Sequence, residues 1–357
     1  MKVSRISKVL SNCFHLPLQI FFNSLKNCHI ICISFLGVKK ILVWKFIAMD
    51  SGTRHYHLYV GTTKGCVADI TFSVSPESTE VNIEMETLVQ GHGSEITGLS
   101  ATNNHFITCS LDKTIIYWDG LKHQAKWLES VRSPLTCVTL SHDGSKFAAG
   151  SSDGYLYYTD IEERSLVRIK VVDNESITTL TFNNTDTTLA IATQNTILYC
   201  DNLEALPDNL NFVTLEGQVS HVSHLDFATD GIHLRSNAID LELLYWNNTE
   251  QITDTDQIDE LEFESQNVTL TFETLGIWPQ KADGTDINSC TRYKDTLFVG
   301  DDFGRVRIYK YPVIQGEAES VELLGHADHV KHVQPMVDGQ IVSSGGREVS
   351  LLQWQKQ

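Results

Sequence analysis

The sequence predicts an all-β chain, a β-propeller of about seven four-stranded blades over residues 49–357, preceded by an atypical segment over residues 1–48. Three observations carry this. Short stretches of alternating apolar and polar residues run through most of the chain, they recur at a nearly constant period, and each recurrence ends on a strand closed by an aromatic or its replacement.

The copies can be followed in order. "GHGSEITGLSATNNHFITCSLDKTIIYWD" (91–119), "RSPLTCVTLSHDGSKFAAGSSDGYLYYTD" (132–160), "NESITTLTFNNTDTTLAIATQNTILYCD" (174–201) and "SHVSHLDFATDGIHLRSNAIDLELLYWN" (220–247) each read as strand, polar turn, strand of small or β-branched residues, turn, strand. Two more follow at 285–311 and 325–355, and "HLYVGTTKGCVADIT" (57–71) has the form of a copy's tail, which makes seven. The ends are spaced 41 to 48 residues apart except once, and that period with a Gly-His opening and a Trp-Asp finish resembles WD repeats. The last copy ends at Trp354 with too little chain for an outer strand, so the reading expects an N-terminal strand, "HIICISFL" or "KKILVWKF", to close the final blade.

In the first of these copies, His92, Thr108, Asp112 and Trp118 stand where WD repeats build a hydrogen-bonded network inside a blade. The same offset from the aromatic picks out Asp240 before Trp246 and Glu348 before Trp354, with His326 and Ser343 in the last copy. Buried polar groups of this kind need partners, so the network favours one blade geometry. Asp153 precedes Thr159 and Gln194 precedes Cys200, without the aromatic, which predicts central blades held mainly by apolar packing.

Charge narrows the partners. The formal net charge is -18. Residues 1–48 hold seven Lys or Arg and no acid, so the remainder carries 20 bases against 45 acids, or -25. A surface this acidic repels nucleic-acid backbones and anionic membranes, and a protein partner is expected. The apolar stretch Phe14–Val38 is broken by Asn23, Lys26, Asn27 and His29, and its runs are nearer a signal-peptide core than a membrane span. Residues 1–48 are therefore read as disordered, with a mis-assigned start near Met49 and a native extension as the two alternatives, the folded body beginning near residue 50. Eight scattered cysteines without a paired framework suit a reducing compartment.

The residues give no catalytic, cofactor or metal site. The literal G-x-S-x-G at Gly150, Ser151, Ser152, Asp153 and Gly154 joins two strands, whereas a nucleophile elbow must join a strand to a helix. His326, His329 and His332, like His221 and His224, lie three apart, which sends neighbours to opposite faces of a strand. Cys28 and Cys32 lack a second pair of ligands.

The exception in spacing is informative. Between Asn247 and Tyr311 it stretches to 64, and the excess holds the acidic run "TDTDQIDELEFE" (253–264) and "TLGIWPQKADGTDINSC" (274–290). Insertions of this kind go to one face of the ring. Trp278 is read as a plug at the blade junction, with a partner-facing role as the alternative; Asp254, Asp256 and Asp259 are the candidate contacts beside it.

"GIWPQKADGTDIN", "VGDDFGRVRIYKYP", "GHADHVKHV" and "GGREVSLLQW", with "LYVGTTKG", "GHGSEITGLS" and "CSLDKTIIYWD" upstream, resemble the C-terminal propeller of the echinoderm microtubule-associated protein-like family over about residues 55–355. The resemblance implies a non-enzymatic, cytoplasmic, cytoskeletal protein binding tubulin or microtubules, with a tandem of two propellers as the family's fold. The family's coiled coil, basic region and first propeller have no counterpart in residues 1–48. The microtubule surface is itself acidic, so an acidic propeller without the basic region is not expected to hold the lattice alone. The second functional reading is a WD-repeat adaptor for another protein complex.

Overall fold

The computed structural model describes residues 91–354 except 123, 202, 204–211, 280–283, 285, 317, 337–338 and 348; of residues 1–90 it describes backbone strands. The expectations for the side chains of residues 1–48, Cys28 and Cys32 among them, and for Glu348 lie outside the described residues. The chain divides into two compact units, Met1–Gly93 and Ser94–Gln357. In the first, Arg5–Val9, Pro17–Leu25 and Cys28–Ser34 pair as one sheet, and Lys40–Asp50, Thr53–Gly61, Val67–Val74 and Val81–Val89 as another, so one strand runs across position 49.

The second unit is a β-propeller of six sheets. Blade 1 runs Ile96–Thr102, His105–Ser110, Thr114–Asp119 and Gln124–Ser130; blade 2 runs Leu135–Leu140, Lys146–Ser151, Tyr155–Asp160 and Val167–Lys170. Blade 3 holds Thr179–Phe182, Thr188–Ala192, Thr196–Asp201 and Phe212–Glu216, and blade 4 holds Val222–Phe227, Leu234–Ala238, Leu243–Trp246 and the two-residue Gln251–Ile252. Blade 5 is Ile287–Tyr293, Thr296–Asp301, Arg305–Lys310 and Val321–Leu324, and blade 6 is Val330–Pro335, Ile341–Gly345 and Leu351–Trp354. Each is an antiparallel meander whose second strand is buried on both faces, as at Thr188–Ala192 and Ile341–Gly345. That double burial is why the second strands read as runs rich in small and β-branched residues, and the third strands Thr114–Asp119, Tyr155–Asp160 and Thr196–Asp201 are buried almost as continuously.

The count corrects the expectation of about seven. The copy tail at 57–71 falls in the strands Thr53–Gly61 and Val67–Val74 of the first unit, where they pair within their own four-stranded sheet, leaving six blades in residues 94–357.

The ring seals through its innermost strands. Val330–Pro335 of blade 6 packs against Ile96–Thr102 of blade 1, although blade 6 shows three strands. Lys331 Nζ meets Glu95 at 2.7 Å, the Gln353 amide donates to the Gly120 carbonyl at 2.9 Å, and Met336 and Val342 join Leu99, Phe106, Ile116 and Trp118 in one apolar cluster. The stretches "HIICISFL" and "KKILVWKF", expected as a closing strand, fall mostly in Cys28–Ser34 and Lys40–Asp50, which pair within sheets of the first unit. Comparable clusters join blades 1 and 2, 2 and 3, 3 and 4, and 5 and 6. Between blades 4 and 5 the inserted segment supplies the packing: its Ile277 and Trp278 lie on Ile287, Cys290, Leu297, Val299 and Tyr309 of blade 5.

Among the described residues no helix is long and apolar enough to cross a membrane.

Candidate functional site

Two places gather polar side chains, the blade networks with the central channel, and the insert. In blade 1 the Trp118 indole N–H donates to Thr108 Oγ1 at 2.8 Å. Asp112 accepts the Thr114 amide at 2.9 Å in the following turn, and His92 is buried. In blade 6, Trp354 donates to Ser343 Oγ at 2.8 Å, and His326 bridges Ser343 Oγ at 2.8 Å and Ser350 Oγ at 2.7 Å.

Blade 4 builds its network from other residues than the offset suggested. Trp246, fully buried, donates to Ser236 Oγ at 2.8 Å; Ser236 donates to Gln218 Oε1 at 2.8 Å, and Gln218 Nε2 donates to Glu242 at 3.1 Å. Gln218 stands in for the histidine and Glu242 for the aspartate, while Asp240 is exposed in the turn and accepts the Glu242 amide at 3.5 Å. In blade 2, Asp153 accepts from Ser133 and Ser151, so a smaller network survives without the aromatic.

Ser152 lies in the hairpin between Lys146–Ser151 and Tyr155–Asp160, its amide bound to the Pro134 carbonyl at 3.0 Å. Gly154 takes φ +77° there, and a Cβ would collide with the Val172 carbonyl. Gly154 thus serves a turn, whereas Gly150 is a strand residue whose Cβ would strike Ile177 and Cys137.

The channel, about 490 Å³, is walled by the six innermost strands. Side chains bridge four of the junctions between neighbouring blades: Thr97 Oγ1 donates to Leu135 O at 2.8 Å and Thr136 Oγ1 to Ile177 O at 2.6 Å. His224 Nε2 donates to Asn288 O at 3.1 Å, and His332 Nε2 to Thr97 O at 2.8 Å. The two histidines hold equivalent places after a bulge in blades 4 and 6. Each ring is half-buried in the channel wall, and this desolvation lowers both; His332, with the Lys331 charge beside it, falls to about 3. His326, His329 and His332 have separate surroundings: Ser343 and Ser350, Asp328, and the Thr97 carbonyl. Among the described residues no group of three His, Cys, Asp or Glu side chains is placed to hold a metal.

The insert is the other polar centre. It opens with the helix Thr255–Asp259, capped by Asp254, and ends in the 3-10 helix Phe272–Ile277. Between them Asp226 and Arg235, which are 0% and 4% exposed, form a 2.9 Å ion pair on blade 4. Asp226 also accepts from the Ser265 hydroxyl, the Asn267 amide and the Asn267 side chain. Arg235 donates to Gln266 Oε1 at 3.0 Å and lies 3.8 Å over the Phe263 ring. Gln266 Nε2 in turn donates to Val268 O at 2.6 Å, and the Tyr311 hydroxyl of blade 5's side reaches Gln266 Oε1 at 3.2 Å. A buried charge pair is costly unless every lone pair and proton is used, which they nearly are here. Arg235 and Asp226 escaped sequence reasoning because each occupies an ordinary strand position; the available signal was Arg235 in a second strand, where the other copies carry small or apolar residues.

Trp278 is half-buried; its indole N–H donates to Thr269 O at 3.1 Å and its ring packs on the apolar face of blade 5. Asp254, Asp256 and Asp259 are exposed on the short helix. The structure therefore places Trp278 within the junction and the three aspartates on the surface.

Comparison with known proteins agrees with this architecture. The family described as "Echinoderm microtubule-associated protein second beta-propeller" matches residues 96–356. "Echinoderm microtubule-associated protein-like 2" of Mus musculus is 32% identical over 305 residues, covering 83% of this chain and 46% of the relative. "Echinoderm microtubule-associated protein-like 1" of Homo sapiens is 30% identical over 308 residues, 83% of this chain and 36% of the relative. The chain thus spans less than half the length of these curated relatives. A chain of the solved structure titled "Crystal Structure of Mitotic Checkpoint Complex" shares the fold with a TM-score of 0.54 at 15% identity, covering 73% of this chain and 87% of that one. With a repeat, a six-bladed ring and a family match over most of its length, the chain belongs to the echinoderm microtubule-associated protein-like family, and residues 96–356 match that family's second β-propeller.

Proposed function

We propose that the chain is a non-enzymatic scaffold of the cytoplasm and cytoskeleton that binds tubulin or microtubules, with the insert between blades 4 and 5 as a contact surface. Membership of a family named for microtubule association is the observation that carries this reading. The insert supports the choice of surface: it is anchored by buried charge on one side and exposes Asp254, Asp256 and Asp259 on the other, where they suit basic side chains of a partner rather than its acidic body. No reacting group is assigned, since Ser152 serves a turn and the buried thiols of Cys109, Cys137 and Cys290 are pushed well up by desolvation.

The test is capture of purified tubulin by the full chain and by Asp254→Lys/Asp256→Lys/Asp259→Lys. These side chains are exposed, so, beyond the local loss of the Asp254 helix cap, the variant is expected to melt close to the parent while its capture of tubulin changes. Unchanged capture would remove the insert from the reading, and no capture by the parent would remove tubulin and favour an adaptor for another complex.

A further inference from the structure

The insert exposes an apolar surface that its own packing does not use. Phe272 is 64% exposed and Leu275 53%, three residues apart on the 3-10 helix Phe272–Ile277. Side chains at this spacing eclipse one another in a 3-10 helix, so the two project from one side. Thr274, Gly276 and Ile277 are buried on the other. Ile314, 40% exposed, joins them because the helix is laced to its segment: the Gly276 amide donates to Val313 O at 2.6 Å and the Val313 amide to Glu273 O at 2.8 Å. Gly276 allows this approach, since a Cβ there would run into the Gln315 carbonyl.

The pair is held firmly. Thr271 and Thr274 cap the helix reciprocally, Thr274 Oγ1 donates to Thr269 O at 2.8 Å, and Gln266 ties Thr271 to the Asp226–Arg235 pair. Two large apolar side chains held side by side in water on so fixed a mount form an apolar patch rather than a scattered exposure.

Charge says what the contact carries. Residues 253–264 hold six acids, Asp254, Asp256, Asp259, Glu260, Glu262 and Glu264, and no base. This run is tied to the helix that carries the apolar pair: its Phe263 lies 3.8 Å under Arg235, Arg235 donates to Gln266 Oε1 at 3.0 Å, and Gln266 Nε2 donates to the helix cap Thr271 Oγ1 at 3.2 Å. Two cations of this edge are already used, Arg235 by Asp226 and Arg292 by the Lys294 and Phe263 carbonyls.

We propose that Phe272, Leu275 and Ile314, with the acidic run beside them, form a docking surface for a basic amphipathic segment of a partner protein. Apolar side chains of that segment cover Phe272 and Leu275, and its Lys or Arg side chains meet the carboxylates of the run. The proposal rests on the reading of the insert as a contact surface, and does not require that the partner be tubulin.

The test uses the full chain and two labelled synthetic helical peptides followed by fluorescence anisotropy. One places Leu at i, i+3, i+4 and i+7 with Lys elsewhere; the other has Glu in place of every Lys. Saturable binding of the Leu–Lys peptide and none of the Leu–Glu peptide is expected. Phe272→Ala/Leu275→Ala is expected to weaken binding tenfold or more at unchanged melting temperature, and Asp254→Lys/Asp256→Lys/Asp259→Lys to weaken it as well. Val219→Ala/Ile239→Ala, which trims exposed side chains elsewhere on the ring, is expected to leave it unchanged. Equal binding of both peptides, unchanged affinity in Phe272→Ala/Leu275→Ala, or an equal loss in Val219→Ala/Ile239→Ala would overturn the proposal. Tubulin capture separates the two readings: peptide bound by a parent chain that captures no tubulin removes the tubulin partner and keeps the docking surface, whereas tubulin captured by a parent whose peptide binding is insensitive to Phe272→Ala/Leu275→Ala removes this docking surface.

Discussion

Trp278 shows how one side chain serves the junction. Its indole N–H has an acceptor in Thr269 O and its ring closes the apolar face of blade 5, so truncation leaves a gap and removes one of the two hydrogen bonds that Thr269 O accepts. Trp278→Ala is expected to lose about 2–4 kcal/mol, less than for a fully buried ring, by chemical denaturation. Melting at the parent's temperature would instead return Trp278 to the role of a partner contact. The sequence announced Trp278 by placing it beside Pro279 in a stretch matching no repeat. Glu242 and Gln218 were hidden, because the offset from the aromatic points to Asp240. In blade 4 the turn places Leu241 at φ +69°, and Glu242 rather than Asp240 reaches Gln218.

At the scale of elements, the insert folds on a buried ion pair. Removing one partner strands the other charge: Arg235→Met leaves Asp226 fully buried with its Ser265 and Asn267 donors but no cation. A loss of about 3–5 kcal/mol is expected, with early hydrogen exchange at 263–274. Stability equal to the parent's would show that the insert does not depend on the pair. The insert was legible as a 64-residue spacing where 41 to 48 is usual. Its architecture was not, since the acidic run reads as solvated loop and a six-residue 3-10 helix has too few residues to show a period. Strands were legible for the opposite reason: alternation with turn residues at fixed offsets repeats copy after copy, so each instance supports the others.

For the molecule as a whole, closure depends on the first and last innermost strands meeting without a covalent link. His332 donates to Thr97 O across that seam, and burial holds its folded value near 3 against about 6.5 when unfolded. A base whose folded value is lowered costs nothing above about pH 6.5, where both states are neutral. As pH falls from 6.5 toward 3 the unfolded chain takes the proton and the folded one does not, so stability declines through that window. About 1–2 kcal/mol is expected to be lost at pH 5, reduced from the full linkage value because the ring faces the channel, and His224, lowered in the same direction, adds to it. His332→Gln keeps a donor and removes the titration, so its stability should fall less between pH 7 and pH 5 than the parent's. An equal fall in both would exclude His332 as a source of the acid sensitivity. The number of blades was the part of the whole that the repeats did not determine. A copy tail counts as a blade in sequence, whereas its strands here pair inside a separate compact unit.

The most direct measurement is hydrogen exchange of the full chain alone and with saturating tubulin dimer, followed peptide by peptide around the ring. Slowed exchange at residues 254–278, with the blade 1 and blade 2 hairpins unchanged, is the predicted result. Protection confined to other blades, or exchange unaltered by tubulin anywhere, would contradict the assignment of the insert as the surface through which this propeller acts.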